Sequence, residues 1–279
     1  MALYKGPEPE GKLIFAPHGQ ASQFTLGTLS LSDLDRSPIV QFSRWFGDAQ
    51  DHPCALSTAE LPSGRVSSRF VYLKELDARG GFVVYSNWAT SRKARDLATN
   101  PHAALVFHWG PLQRQVRVEG VAERCPRAQS QVYFDTRERG SKIGAWASRQ
   151  SQVLIPSSSS TSTSSKNETI QSQQQQQQEQ STRGPDGGGG EDKKRQQDNE
   201  DDGRAQLETW VAEAEQKFKD AGDDIPVPEF WGGLRIVPSR IEFWQGRQSR
   251  LHDRFVYSRP EGRDGDGPDE PWTVERLSP

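Results

Sequence analysis

Cationic side chains that could bind phosphate groups occur at several separate places in the 279-residue sequence: Arg69 with Lys74, Arg92 with Lys93, Arg137, and Arg250 with Arg254. Arg92 and Lys93 follow Ser91 at the start of a predicted helix, and Arg137 and Ser141 straddle a predicted helix junction. Guanidinium groups, hydroxyls and the free backbone N–H groups of helix N-termini suit phosphate, because their hydrogens converge on its oxygens. Two such sites would fit a phosphorylated cofactor together with a phosphorylated substrate. Composition alone leaves open the alternative of solvated surface arginines.

The sequence does not indicate other common kinds of site. No Gly-x-Gly-x-x-Gly run follows a predicted strand, and no P-loop motif is present. The five histidines and the two cysteines lack metal-ligand spacing, so no metal site is predicted. The net charge of −3 argues against a general binder of nucleic acids or membranes. Because no run reaches the roughly 18 apolar residues of a membrane span and no signal-peptide pattern begins the chain, we expect an intracellular, cytoplasmic protein.

The elements that must position these cations are mostly strands. Strands are predicted at 54–61, 66–76, 82–86, 102–109, 114–124, 234–245, 251–258 and 272–277. Helices are predicted at 38–49, 91–100, 126–140, 141–150 and 207–222, the third of them with Tyr133 and Arg137 one turn apart on one face. Closely spaced strands joined by hairpins, with few helices between them, favour an antiparallel barrel over a βαβ sheet. The predicted fold class is α+β, mainly β with flanking helices.

A low-complexity segment divides the chain. Residues 155–204 contain a Ser/Thr run, a Gln run and a Gly run, with almost no side chain that could enter a core. Such a segment cannot bury enough apolar surface to offset the entropy of ordering it, so a disordered insert is predicted there. Residues 1–23 are predicted to form a flexible N-terminal arm. Residues 24–154 and 205–279 are predicted to be the two parts of one barrel domain.

Several sequence runs occur in an order that is specific to one known family. They are Arg69-Phe-Val-Tyr-Leu-Lys74, Tyr85-Ser-Asn87, Ser91-Arg-Lys93, Asn100-Pro-His-Ala-Ala-Leu105, Arg114-Gln-Val-Arg-Val-Glu-Gly120, Gly144-Ala-Trp-Ala-Ser-Arg-Gln-Ser151, Phe230-Trp-Gly-Gly233, Ile241-Glu-Phe-Trp-Gln-Gly246, Arg250-Leu-His-Asp-Arg254 and Arg276-Leu-Ser-Pro279. Over about residues 38–154 and 205–279 the sequence resembles the pyridoxine/pyridoxamine 5′-phosphate oxidase family.

The resemblance implies a split β-barrel that binds FMN at the interface of a homodimer. It also implies an oxidoreductase, a pyridoxal 5′-phosphate synthase of vitamin B6 biosynthesis and salvage. The expected reaction oxidises pyridoxamine 5′-phosphate or pyridoxine 5′-phosphate with O2 to pyridoxal 5′-phosphate, releasing H2O2 and, from the amine, ammonia. Hydride would pass from C4′ of the substrate to the flavin, and the protein would hold the two rings against each other.

The resemblance also implies roles for individual residues. FMN contacts are expected from Arg69, Val71, Lys74, Tyr85, Ser86, Arg92, Lys93, Gln115, Gln150, Ser151, Trp244 and Arg254. Substrate contacts are expected from Lys74, Tyr133, Arg137, Ser141, Arg250 and His252, with Arg250 and His252 over the pyridine ring as the catalytic pair. Without the resemblance, Trp244 could equally be a core residue, and Trp146 and Trp231 are interpreted as packing residues.

One segment departs from the family pattern. The family's N-terminal arm carries a basic stretch with a tyrosine and a Gly-Gly-Leu, whereas residues 22–29 here have no charge and only one glycine. We therefore predict no site residue in the arm. Two other functions remain open: a split-barrel flavoenzyme that acts on a different small aromatic molecule, and a non-catalytic carrier of flavin or pyridoxal phosphate.

Overall fold

Nine antiparallel strands form one sheet in the computed structural model, which describes residues 23–49, 53–156, 201–265 and 271–279. The strands are β1 Pro53–Ala59, β2 Val66–Tyr72, β3 Glu75–Leu76, β4 Phe82–Asn87, β5 His102–Trp109, β6 Arg114–Arg124, β7 Trp231–Gln245, β8 Asp253–Ser258 and β9 Thr273–Leu277. The helices of the described ranges are α1 Pro38–Asp48, α2 Arg92–Thr99, α3 Arg127–Asp135, α4 Arg139–Ala147 and α5 Arg204–Lys217. None of these helices is long and apolar enough to cross a membrane.

The sheet divides at its longest strand, β7. The strand order is β2-β1-β5-β6-β7-β4-β3, and β7 also pairs with β8, which pairs with β9. β6 runs along nearly the whole of β7, while β4 pairs with its first half and β8 with its second half. The register of β6 and β7 shifts at Gly120, where any Cβ would overlap the carbonyl of Val237. Such a bulge bends the strand pair, so the sheet curls into the split barrel that the family resemblance implied.

The main core lies inside the curl and is closed by α1. Ser37 caps this helix by accepting a hydrogen bond from the backbone N–H of Val40, and Pro38 occupies its first position. Phe42 and Trp45, one turn apart, are buried against aromatic side chains of the sheet, with the Trp45 and Phe243 rings 5.2 Å apart. The helical spacing of apolar residues in the sequence therefore identified the face that packs on the barrel.

A second, smaller core joins α3, α4 and α5. It contains Phe134, Ile143, Trp210, Phe218 and Trp231, which are all buried. Since Trp231 begins β7, this core attaches the helices to the end of β7 that pairs with β4. The turn between α3 and α4 is thereby held beside β2 and β4.

The structure corrects two of the predicted elements near the expected site. The strand predicted at 66–76 is two strands, β2 and β3, because the chain turns at Leu73 and Lys74 before pairing with β4. The helix predicted to continue to Gly140 ends at Asp135, and Gly140 lies in the first turn of α4. Arg137 therefore lies in the α3–α4 turn and not on the helix.

Two predictions concern segments that the structure describes only in part. Of the predicted insert at 155–204, residues 157–200 are outside the described residues. Of the predicted arm at 1–23, residues 1–22 are outside them. At the far end of the insert, Arg204 already belongs to α5.

Candidate active site

An open pocket with a volume of about 520 Å³ lies between β2, β4 and the α3–α4 turn. We call it the cation pocket. Ten of the seventeen predicted site residues line it: Arg69, Val71, Lys74, Tyr85, Ser86, Lys93, Tyr133, Arg137, Ser141 and Gln150. Phe70, Tyr72, Thr136, Glu138 and Trp231 complete the lining. The structure thus brings most of the predicted phosphate-binding cations to one place.

One end of the cation pocket is built around Lys93 in the first turn of α2. Lys93 is only 4% exposed, and its Nζ donates to Oε1 of Gln150 (2.7 Å), which also accepts from Ser86 Oγ (3.3 Å). Burial, together with the nearby charge of Arg69, lowers the pKa of Lys93 to about 8. Both effects disfavour the charged form of the Lys93 amine, so an anion bound at this end would stabilise that charged form.

The other end is an aromatic stack that carries Arg137. The Tyr85 and Tyr133 rings stack with centroids 4.0 Å apart, and Trp231 is nearly parallel to both. The guanidinium carbon of Arg137 lies 4.8 Å from the Trp231 ring centroid. Nη1 of Arg137 is buried without a hydrogen-bond partner among the described residues, and burial lowers the pKa of this side chain. An unpaired buried donor is costly, so an anionic acceptor is the ligand that this end suits.

Tyr85 contributes its ring and not its hydroxyl to the pocket. The Tyr85 hydroxyl donates a short hydrogen bond to the Glu75 carboxylate, which also accepts from Nε2 of Gln129 (2.9 Å). Burial and this carboxylate both raise the pKa of Tyr85, so its phenol stays neutral. Glu75 is therefore a supporting residue that the sequence analysis missed, whereas Trp231 packs in the second core and also lines the pocket. Trp231 was interpreted as packing, and no local pattern marks Glu75.

Arg92 and Ser151 lie beside the cation pocket and do not line it. The Arg92 guanidinium folds back along α2, where Nε donates to Asp96 Oδ1 (2.8 Å) and Nη2 lies 3.5 Å from the Glu60 carboxylate. Its backbone N–H donates to Ser151 Oγ (3.3 Å). The first turn of α2 and Ser151 are thus adjacent. The charge of the Arg92 side chain, however, is already neutralised by two carboxylates.

The remaining five predicted residues form a separate group, the β7–β8 cluster: Gln115, Trp244, Arg250, His252 and Arg254. Gln115 and Arg254 are the register partners of Trp244 on either side, so all three project from the same face of the sheet. The Trp244 and His252 rings are 4.6 Å apart. None of the five is among the residues that line the cation pocket of the same chain.

His252 is held in one protonation form. Its Nδ1 accepts a hydrogen bond from the backbone N–H of Arg247 (3.1 Å), so the neutral ring carries its proton on Nε2. Burial, followed by the charges of Arg250 and Arg254, lowers the pKa of His252. At neutral pH the ring therefore offers a neutral Nε2–H donor. The turn before it is strained, because Ser249 and Arg250 have φ values of 56° and 62°.

The chain just after the predicted arm packs against the β7–β8 cluster. The Phe24 ring stands edge-on to Trp244 (5.5 Å) and to His252 (5.7 Å). Gly246 has no room for a side chain, since a Cβ there would lie 2.6 Å from the Phe24 ring. The backbone N–H of Leu29 donates to the buried Asp253 carboxylate (3.0 Å). No site residue was predicted in this segment, and the structure adds Phe24 as a contact of His252.

The curled antiparallel sheet and a pocket with separate cationic ends define a split-barrel protein suited to phosphorylated small molecules. The chain belongs to the pyridoxamine 5′-phosphate oxidase family. Residues 48–165 match the family model described as pyridoxamine 5′-phosphate oxidase. Residues 231–279 match the model described as the C-terminal dimerisation region of pyridoxine 5′-phosphate oxidase.

Similar proteins match over nearly their whole length. The pyridoxamine 5′-phosphate oxidase of Saccharomyces cerevisiae is 46% identical over 98% of this chain and 97% of its own. A probable pyridoxamine 5′-phosphate oxidase of Schizosaccharomyces pombe is 42% identical over 96% of each chain. Among solved structures, PhzG from Burkholderia lata, in complex with tetrahydrophenazine-1-carboxylic acid, has a TM-score of 0.62 at 23% identity, covering 89% of this chain and 95% of its own. That last likeness concerns the fold alone.

Proposed function

We propose that the chain is an FMN-dependent oxidase that converts pyridoxamine 5′-phosphate and pyridoxine 5′-phosphate into pyridoxal 5′-phosphate with O2 as electron acceptor. The observation that carries the proposal is the cation pocket, whose Lys93 end and Arg137 end offer separate places for two phosphate groups. The names and the full-length similarity of the curated relatives support an oxidase over a non-catalytic carrier. They also favour vitamin B6 phosphates over a different small aromatic substrate.

The Lys93 end fits the phosphate of FMN. Lys93, Arg69 and Ser86 offer donors there, and the Gln150 amide lies among them. A single compact cation group without a Gly-rich dinucleotide turn favours FMN over FAD. The chemistry that FMN supplies when bound is a two-electron oxidation, with the electrons passed on to O2. Arg92 would contribute to this end only through its neighbours, because its guanidinium is paired with Asp96 and Glu60 and its backbone N–H group donates to Ser151.

The Arg137 end fits the phosphate of the substrate. Nη1 of Arg137, which has no partner among the described residues, and the hydroxyls of Ser141 and Tyr133 would donate to its oxygens, and Lys74 lines the same pocket. With one phosphate held by the Lys93 group and the other by the Arg137 group, the two rings would be held against each other. Such positioning is the protein's main contribution to a hydride transfer.

We also propose that FMN lies at the interface of a homodimer. The edge strand β2 lines the cation pocket and leaves Phe70 80% and Tyr72 58% exposed, which is unusual for large apolar side chains of a sheet edge. The match to a dimerisation region covers Trp244, His252 and Arg254 of the β7–β8 cluster. A second subunit that covers β2 with this cluster would complete the pocket. Arg250 and the Nε2–H group of His252 would then hold the substrate ring from the side away from the flavin.

The direct test of the proposed function is flavin analysis and oxygen consumption. The purified protein should be yellow, release FMN on denaturation and consume O2 when pyridoxamine 5′-phosphate is added. A carrier would bind flavin without consuming O2, and an enzyme for another substrate would not respond to pyridoxamine 5′-phosphate. Release of FAD, or no flavin after supplementation with FMN, would contradict the cofactor assignment.

The depressed pKa of Lys93 predicts that FMN binding weakens at alkaline pH. In the free protein Lys93 loses its proton near pH 8, whereas a bound phosphate dianion would raise this pKa. The FMN affinity should therefore be constant below pH 8 and fall by up to about tenfold per pH unit above it. Fluorescence titration of apoprotein with FMN between pH 6.5 and about pH 9 measures the effect. Lys93→Gln should bind FMN more weakly and without this pH dependence; an unchanged profile in that variant would exclude Lys93 as its source.

A further inference from the structure

Asp96 is a fully buried carboxylate behind the Lys93 end of the cation pocket, and it has no assigned role. Its Oδ2 accepts from Thr58 Oγ1 (2.7 Å) and Ser67 Oγ (2.6 Å), and its Oδ1 accepts from Arg92 Nε (2.8 Å). Burial alone would raise the pKa of Asp96, but the hydrogen bonds from Ser67, Thr58 and Arg92 outweigh it and lower the pKa. Asp96 is therefore ionised, and it can only accept hydrogen bonds.

This ionised carboxylate fixes the direction of the two neighbouring hydroxyls. Each hydroxyl has one hydrogen, and both hydrogens point to Asp96, so the lone pairs of Thr58 and Ser67 face the other way. Arg69 uses those lone pairs: Nη1 donates to Thr58 Oγ1 (2.9 Å) and Nη2 to Ser67 Oγ (2.6 Å). Asp96 thus acts on the Arg69 guanidinium through two hydroxyls, and its own Oδ2 lies 3.9 Å from Nη2.

The arrangement leaves part of the guanidinium available to a ligand. Nη1 of Arg69 also donates to the Leu56 carbonyl (3.1 Å), so three of its five N–H groups are used within the described residues. The remaining N–H groups belong to Nε and Nη2, on a side chain that lines the cation pocket. A long arginine side chain would otherwise lose considerable rotamer freedom on binding a phosphate. Holding it beforehand reduces that loss.

We propose that Asp96 is a positioning residue that, through Thr58 and Ser67, holds Arg69 in the orientation that binds the FMN phosphate. It thereby sets the preference of the protein for FMN over unphosphorylated riboflavin. This inference rests on the proposed function, since it assumes that FMN occupies the Lys93 end of the pocket. It assigns to Asp96 a role in cofactor selectivity without any contact with the cofactor.

The sign of the effect separates positioning from simple charge balance. The negative charge of Asp96 repels a phosphate dianion, so a residue that served only as a counter-ion would weaken FMN binding. Its removal would then tighten FMN binding. A positioning residue has the opposite effect, because its removal frees the guanidinium.

The experiment compares FMN and riboflavin binding to apoproteins by fluorescence titration. Asp96→Ala removes the carboxylate, while Thr58→Val and Ser67→Ala each remove one hydroxyl without changing the charge. FMN dissociation constants should rise about 10- to 100-fold for Asp96→Ala and about 10-fold for each hydroxyl variant, the range for hydrogen bonds to charged groups. Riboflavin dissociation constants should change less than about twofold. Asp220→Ala, an exposed aspartate outside the site, is the matched control and should behave as the parent protein.

Each alternative outcome has a distinct meaning. Equal losses of FMN and riboflavin affinity would show that the network only supports the fold, and unchanged or tighter FMN binding would show charge balance; either result overturns the inference. If the parent protein itself does not prefer FMN to riboflavin, the proposed cofactor site is wrong and the inference fails with it. If Asp96→Ala does not fold, as judged by circular dichroism, the two hydroxyl variants decide the outcome, because they change neither charge nor backbone.

Discussion

Replacing Arg137 with alanine should raise the KM for pyridoxamine 5′-phosphate about 10- to 100-fold. Nη1 of Arg137 is buried in the pocket and has no hydrogen-bond partner in the part of the chain that the structure describes, and a phosphate oxygen would be its acceptor. Charge-assisted hydrogen bonds of this kind contribute about 1.5–3 kcal/mol, which corresponds to that range. The phosphate does not change during the reaction, so ground state and transition state should lose the same binding and kcat should change little. Steady-state oxygen consumption at varied substrate concentration measures both constants.

Two controls make the Arg137 result specific. Arg139 lies two residues further on but bonds to backbone carbonyls at the end of α5, so Arg139→Ala should leave the KM unchanged. Unphosphorylated pyridoxamine should be an equally poor substrate for parent and Arg137→Ala, because neither can use the contact. FMN content should also stay at the parental level. An unchanged KM for pyridoxamine 5′-phosphate in Arg137→Ala would move the substrate phosphate elsewhere in the pocket.

Residues placed by local chemistry were predictable from the sequence. Ser91 was expected to begin a helix, and its Oγ does accept from the backbone N–H of Ala94 (3.3 Å), which puts Lys93 in the first turn. Tyr133 and Arg137, predicted to lie on one face, both line the cation pocket, although Arg137 reaches it from a turn and not from a helix. Capping preferences and the spacing of apolar residues act over a few positions, so one sequence contains enough information to place such elements.

Contacts between distant parts of the chain were not predictable in the same way. Phe24 meets His252 across most of the chain, and Asp96 reaches Thr58 and Ser67 from another element. These contacts depend on how the sheet curls and which strand edges meet, and local periodicity does not encode that. Glu75 was missed for the same reason, because it acts on the pocket through the side chain of Tyr85 on another strand. The separation of the β7–β8 cluster from the pocket likewise became visible only in three dimensions.

Arg250→Ala should reduce kcat for pyridoxamine 5′-phosphate by about 100-fold while FMN stays bound. Arg250 is assigned to the substrate ring and not to the cofactor, and it lies in the β7–β8 cluster, away from the cations of the Lys93 end. A contact made mainly in the transition state lowers kcat by about tenfold for each 1.4 kcal/mol lost. Flavin absorbance of the purified variant measures cofactor content, and single-turnover reduction of the flavin measures the chemical step. A parental rate of flavin reduction would contradict this role for Arg250.

Mixing Arg250→Ala subunits with Arg137→Ala subunits should restore activity that neither variant has alone. If each active site combines the cation pocket of one subunit with the β7–β8 cluster of the other, a mixed dimer contains one site with both substitutions and one intact site. Random reassociation of equal amounts makes about half of the dimers mixed, and each mixed dimer has one intact site out of two. The mixture should therefore have about a quarter of the active sites of the parent protein. The assay uses a substrate concentration below the raised KM of Arg137→Ala, at which the unmixed dimers of both variants are nearly inactive. If both residues served a site within one chain, no mixed dimer would contain an intact site, and activity would stay at the mean of the two variants.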